Sequence, residues 1–479
     1  MGEPLILPSL ASVRRARYVA ADQFWKEQLM SNVRDFGAVG DGKTDDTEAI
    51  QHAIADGEGI VEFPRGEYRI TKTLVVDLVK ESRTALAGRG GVAKLIMHGE
   101  GPAILLQASH ASTADPGGFR PEEWLHERMP TVDGLEIEGR HPDADGIRIV
   151  GVMQPTLTRV LIRQVRTALH VTDRARNLIV NGCHFYHNTG VGIHLDRVNL
   201  HQTIIADSHI SYCRRGGIRI EDSEIRNLQI TGNDIEYNTN RVHREKFPDG
   251  DDAPTGEIYI DVGSGTIREG TIASNTIQAQ GSPNGSNIRM IGTGPEGTHR
   301  AGMWTISGNL IGSQKNNVHL TGVRGVTISG NYIYSGHHRN VLVEGSRNVV
   351  LGENTFGHNP DYRGKELATG IRFVDSENIN VNGVLIQDAQ AGKHTVNGAV
   401  PIEREALVEF VRCNRVNMTG CQILDGTPTG VLVDDCRDTL ISSCTIIDQR
   451  EVAQMKTGVA WRGATHGNML TQSRISGAA

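Results

Sequence analysis

"GIHLD", "GIRIE" and "EIYID" each end on an acid, placing Asp196, Glu221 and Asp261 three residues after Ile193, Ile218 and Ile258. Side chains of an extended strand alternate between two faces. With each isoleucine packed inward, the first and third residues after it face outward together. The three acids therefore share a face with His194, Arg219 and Tyr259. Neighbouring strands lie about 5 Å apart, so carboxylates on adjacent strands repel. Repulsion is expected to raise at least one pKa and leave a protonated acid beside an ionised base. Cleavage of a glycosidic bond needs such a pair. Adjacent acids suit a retaining separation of about 5–5.5 Å. Asp196 and Asp261, two strands apart at about 10 Å, approach the inverting range of about 6.5–9.5 Å. The plainer alternative is that the acids neutralise the cations beside them. Asp196, Glu221 and Asp261 are the candidate catalytic residues.

The row beside the acids extends further in both directions. One residue after each inward aliphatic come Arg148, His170, His194, Arg219, Tyr259, Arg289 and His319, then Leu342, Arg372, Glu409, Leu432 and Ala460. The first seven are all Arg, His or Tyr. In a chain of net charge −7, such a column predicts a groove for sugar hydroxyls, carboxylates or sulfates. His170, His194, Arg219, Tyr259, Arg289 and His319 are expected to bind substrate. "FYHN", "SYCRRGG" and "EYNTNR" put His187, Tyr212, Arg214, Arg215, Tyr237 and Asn238 on a neighbouring turn. They are expected on the groove's rim, with Tyr212, Arg215 and Tyr237 as further binding candidates. The long excursion before Ile258 should form one wall, and residues 292–302 should flank the same groove. No cofactor is required by this chemistry. "DGDDA" in the first excursion could hold calcium but lacks the full loop spacing, so a solvated acidic loop is the expectation.

These side chains need a scaffold that repeats. "LQITGNDIEY", "GTIASNTIQA", "WTISGNLIGS", "VTISGNYIYS" and "VVLGENTFGH" are one phrase centred on Asn233, Asn275, Asn309, Asn331 and Asn354. Their period-2 alternation and closest spacings of 22 and 23 residues mean a solenoid of strands. A turn amide repeated at that step predicts a ladder of buried asparagines. The column runs back through Ser208, Cys183, Val160 and Leu135 and forward through Val384, Cys421 and Cys444. A second column marks another strand: Ile147, Leu169, Ile193, Ile218, Ile258, Ile288, Val318, Val341, Ile371, Val408, Val431 and Val459. About twelve coils follow, all-β, in one elongated domain, because a single coil cannot bury its own apolar face.

Composition agrees. The 56 glycines suit many tight corners, and 5% aromatics suit a narrow aliphatic core. The charge gives no footing for nucleic acid. No apolar run approaches a membrane span. The start, "MGEPLILPSLASVRRARYVAADQF", lacks the order of a signal peptide. A complete chain is expected in the cytoplasm, and one trimmed of a leader would be secreted or periplasmic. Cys413 and Cys436, like Cys421 and Cys444, are 23 residues apart and stack on adjacent coils. No metal-ligand spacing accompanies them. Packed interior thiols are expected rather than disulfides or a metal centre.

Residues 32–77 read differently, as a turn-rich stretch, a helix capped by Asp45 or Asp46, then strands. "DFGAVGDGKTDDTEAIQHAI" with "VEFPRGEYRI" resembles the entry segment of the pectate-lyase-like superfamily. That group includes rhamnogalacturonase-like and polygalacturonase-like hydrolases, mannuronan epimerases and phage tailspikes. The resemblance implies a right-handed parallel β-helix of three sheets, with the helix plugging one end. It implies that the asparagine ladder lies between the second and third sheets and that the first sheet's outer face is the groove. Asp41, Asp45 and Asp46 belong to the cap and are expected to be structural. Relatives often pack as homotrimers along the helix axis. The expected division is 1–31 extension, 32–105 cap and first coils, and 106–479 β-helix with inserted loops.

The superfamily's catalytic signatures do not carry over. The paired-aspartate and Gly-His-Gly set of polygalacturonases, the Asp-Pro-His-Glu set of mannuronan epimerases and the Trp-Ile-Asp-His motif of pectate lyases are not found in register. The leading expectation is a glycoside hydrolase-like enzyme acting on an oligo- or polysaccharide through its carboxylates. A lyase or epimerase of an anionic uronate polymer is the second reading, with His194 or Tyr259 as base in preference to Arg219. A noncatalytic glycan-binding solenoid is the third.

Overall fold

A computed structural model describes residues 30–112, 118–247, 252–278, 280–293, 297–357, 370–387 and 404–477. Three parallel ladders of strands wind along one axis. The third ladder is a 16-stranded sheet, from Asp41–Asp45 to Arg474–Ser476. The first and second ladders fuse into one 28-stranded sheet. They fuse because Leu169–Asn181 and Val191–Ala206 run from the first ladder into the second without a break. A bulge turns the corner there, with Asp173 and Arg197 in the left-handed region at φ 64° and 46°.

All twelve expected rungs of the first ladder pair in order. Ile147 opposes Leu169, then Ile193, Ile218, Ile258, Ile288 and Val318. Val341, Ile371, Val408, Val431 and Val459 complete the column. The ladder also extends upstream of that count, through Gly101–Gln107 and Leu74–Asp77. Isoleucine, valine and leucine line the interior because stacked coils remove their side chains from water on all sides.

The asparagine ladder is present, in the corner between second and third ladders. Asn233 Nδ2 donates to Asn275 Oδ1 at 3.0 Å, Asn275 to Asn309 at 3.0 Å, Asn309 to Asn331 at 2.9 Å and Asn331 to Asn354 at 2.9 Å. Each accepting oxygen also takes the backbone N–H of the preceding rung. Gly232, Ser274, Gly308 and Gly330 precede four rungs with positive φ, which explains the Gly-Asn phrase.

A second polar ladder lies at the corner entering the first ladder. Asn287 Nδ2 donates to Asn317 Oδ1 at 2.9 Å, and Asn317 Nδ2 to Asn340 Oδ1 at 2.8 Å. Its neighbouring rung is Glu257, which accepts from Asn238 N and Nδ2. Asn238 is therefore buried structure and not on the rim, contrary to expectation.

The capping helix spans Thr47–Ala55 and buries Ile50, Ala53 and Ile54. Asp45 caps it, accepting Thr47 N–H at 3.1 Å. Asp46 turns back to the N–H groups of Val39 and Gly40, and Asp41 holds those of Lys43 and Thr44. All three acids act on the cap's backbone. All six cysteines are free and buried.

Candidate functional site

The first ladder's outer face carries two rows. One aligns Arg148, His170, His194, Arg219, Tyr259, Arg289 and His319. The other aligns Thr172, Asp196, Glu221, Asp261, Ile291, Thr321 and Glu344. The rows are joined diagonally. His170 Nε2 lies 3.2 Å from Asp196 Oδ2, His194 Nε2 lies 3.1 Å from Glu221 Oε2, and His319 Nε2 lies 2.8 Å from Glu344 Oε2. In each case the imidazole reaches the acid one coil further on. Row position alone does not show this lean, which depends on side-chain rotamers.

Of the three candidate acids, Glu221 is the most tightly held. Arg219 grips it with Nε to Oε2 at 2.7 Å and Nη2 to Oε1 at 2.8 Å. Burial by itself would raise its pKa, but the hydrogen bonds from His194 and Arg219 outweigh burial and hold it at about 2. The expected rise through repulsion is thus reversed at Glu221, because His194 and Arg219 hydrogen-bond to it directly. Asp196, only 8% exposed, accepts from Arg197 Nη2 at 2.6 Å. Asp261 accepts the N–H of Gly263 at 3.1 Å.

The row of donors faces outward and covers itself. The Arg219 guanidinium sits 4.2 Å over the Tyr259 ring, leaving Tyr259 5% exposed, and burial pushes the phenol's pKa up. His170 and His194 stack at 5.4 Å. Burial, then the neighbouring His194, lower the pKa of His170, so it is neutral at neutral pH. Burial likewise lowers His319. Arg289 donates to Thr321 Oγ1 at 2.9 Å and to two carbonyls. Glu344 is a residue the sequence reading missed, although it stands in the acids' own row.

The rim is an aromatic stack. His187 and Tyr212 lie 4.9 Å apart, and Tyr212 and Tyr237 5.3 Å apart, with rings nearly parallel. All three have φ of 54–57°, a costly conformation for a bulky side chain. Mutual stacking returns about 0.5–1.5 kcal/mol per pair. The shared faces are occupied, so ring edges and hydroxyls are what the column offers outward. Arg215 is exposed nearby. Arg214 is not on the rim. It is buried, donates to the carbonyl of Asn240 at 2.6 Å and packs 4.4 Å from the Phe247 ring.

Loops border both edges. The Asn240–Thr255 excursion meets the groove at Pro254, whose carbonyl accepts from Arg219 Nη1 at 3.3 Å. Its first half runs back along earlier coils, where Lys246 and Phe247 line a cleft of about 470 Å³ with His141, Gln164 and Thr189. Most of "DGDDA" lies outside the described residues. At the opposite edge, Thr293 and His299 pair in the second excursion.

Residues 30–126 match the family described as rhamnogalacturonase A/epimerase, pectate lyase-like, and residues 124–244 match the right handed beta helix region. Alginate lyase 7 of Azotobacter vinelandii is 61% identical over 44 residues, which is 8% of this chain and 5% of that protein. A mannuronan C5-epimerase of the same organism is 59% identical over 44 residues, 8% of this chain and 2% of that protein. The match thus spans a few per cent of the length of these curated relatives. Among solved structures, the pre-mature bacteriophage phi29 gene product 12 is 14% identical with a TM-score of 0.55, covering 93% of this chain and 57% of that one. The Dettilon tailspike protein is 14% identical with a TM-score of 0.52, covering 80% and 68%. These likenesses concern the fold.

Proposed function

We propose that this chain, a pectate-lyase-like right-handed parallel β-helix, acts on the glycosidic bonds of an oligo- or polysaccharide along its first ladder. The observation that carries this reading is the register of Asp196, Glu221 and Asp261 on three successive coils, flanked by His194, Arg219 and Tyr259. Glu221, held ionised by Arg219 and His194, serves as base or nucleophile. Asp196 is engaged by Arg197 and His170. Asp261 accepts a backbone N–H and, among the described residues, hydrogen-bonds to no guanidinium; it is the second carboxyl of the proposed pair. Arg289, His319 and the edges of Tyr212 and Tyr237 orient the sugar.

A second reading, elimination or epimerisation at a uronate, draws on His170. Its neutral imidazole can accept a proton, and Arg219 and Arg289 on later coils can face a sugar carboxylate. Tyr259 is the poorer candidate because burial raises its pKa and keeps the phenol protonated. The alginate lyase and epimerase matches, each over 44 residues, lend support to a carbohydrate substrate.

A glycan panel scored for both reducing ends and conjugated double bonds separates the readings. New reducing ends without ultraviolet absorbance support hydrolysis. Absorbance supports elimination. Binding without turnover of any glycan would sink both in favour of a noncatalytic solenoid.

A further inference from the structure

The third ladder holds a separate cluster, on a different face from the groove. His184, His209 and Asp234 follow one another in one outward row, and Tyr186, Ser211, Glu236 and Gln278 in the next. His209, Asp234 and Glu236 each place a ligand-capable atom within 4.8 Å of the others. His209 Nε2 is shielded from solvent and, among the described residues, has no hydrogen-bond partner. A buried polar nitrogen left so is unusual and costly. It lies 3.6 Å from Asp234 Oδ2. That is too long for a hydrogen bond. It is close to the ~3.4 Å that separates two ligands on a tetrahedral cation with bonds of about 2.0–2.2 Å.

The surroundings favour a cation. Gln278 Nε2 fixes Glu236 through Oε2 at 2.9 Å. His184 sets its ring edge-on to His209, with centroids 6.0 Å apart. Among the described residues, no Arg or Lys ion-pairs with Asp234 or Glu236. His170, His194 and Asp196 also come within 4.8 Å of one another. There, however, Arg197 already occupies Asp196 Oδ2, and its positive charge opposes a metal.

We propose that His209, Asp234 and Glu236 bind a divalent transition cation of the zinc, cobalt or nickel class. Imidazole with carboxylate suits these ions, and strand backbone pre-sets the ligands. The cation would staple His209–Ser211 to Asp234–Glu236, the strands that lead directly into Tyr212 and Tyr237. It would brace the coils from which the long excursion departs.

The test is titration of the metal-free full chain with Co²⁺, read by visible d–d absorption, with Zn²⁺ competition and thermal midpoints. One equivalent should bind, raise the midpoint and be displaced by Zn²⁺. Binding should weaken more than tenfold in His209→Ala and in Asp234→Asn, and be unchanged in His170→Ala. Asp234 is 47% exposed, so its variant decides the matter if His209→Ala does not fold. No stoichiometric binding, binding indifferent to both variants, or loss confined to His170→Ala would each overturn the site.

Discussion

The carboxyls of this chain divide by what lies next to them. Glu221 has a guanidinium and an imidazole, and is ionised well into acid. Glu221→Gln keeps its shape and removes the charge, so turnover should drop by more than about 10²-fold, as it should for Asp261→Asn. Asp438→Asn, on a late coil, should change little. Near-full activity in Asp196→Asn, Glu221→Gln and Asp261→Asn alike would end the carboxylate mechanism. Glu257 is the opposite case. It is fully buried, and burial, only partly opposed by Asn238, pushes its pKa up to about 8. It stands one coil from Asn287, whose buried Oδ1 has no hydrogen-bond partner among the described residues. The folded pKa lies above the ordinary 4.5, so the folded state holds the proton more tightly. The stabilisation is complete below pH 4.5 and is lost as pH rises towards about 8, a fall on the order of 4 kcal/mol. Denaturant midpoints across that range should show it, and Glu257→Gln should flatten the profile. An unchanged slope in the variant would mean another group titrates.

At the scale of elements, the two amide ladders predict similar losses. Asn331→Ala removes one rung, and Asn317→Ala removes another that both receives from Asn287 and donates to Asn340. Each should lower stability by about 1–3 kcal/mol, measured as a shift of the unfolding midpoint. No shift would count against that ladder. Only the first ladder was legible in the sequence, because its asparagine sits inside a repeated phrase. The second was hidden because Glu257, Asn287, Asn317 and Asn340 fill a place where other coils have Gly146, Gly192 or Gly217. A turn position tolerates either, so one chain gives no periodic signal there. The rows of the first ladder were legible for the same reason as its core: alternation fixes the face. The pairing between rows was not. His194 meets Glu221 through a lean across coils, which with Arg219 set Glu221 opposite to its expected titration. His209, Asp234 and Glu236 were passed over because the step of 25 residues from His209 to Asp234 is invisible to any local motif.

For the molecule as a whole, register survives insertion. Ile218 and Ile258 are neighbours although a long excursion separates them, so loop length is free while strand phase is fixed. This is why the coil columns could be aligned from sequence, whereas the course of the excursion could not. Its first half runs back over earlier coils, held by Arg214 and by His243 at 3.0 Å from the carbonyl of Tyr212.

The corner that Leu169–Asn181 and Val191–Ala206 pass without a break has a mechanical meaning. His170, His194 and Asp196 stand on two beams clamped at both ends, with hydrogen bonds continuing around the bend. That edge of the groove has no hinge. At the other edge, the carbonyl of Pro254 bounds the groove by accepting from Arg219. Amide exchange should be slow at residues 193–206 with or without glycan. Fast exchange there in either state would mean that the corner bends after all.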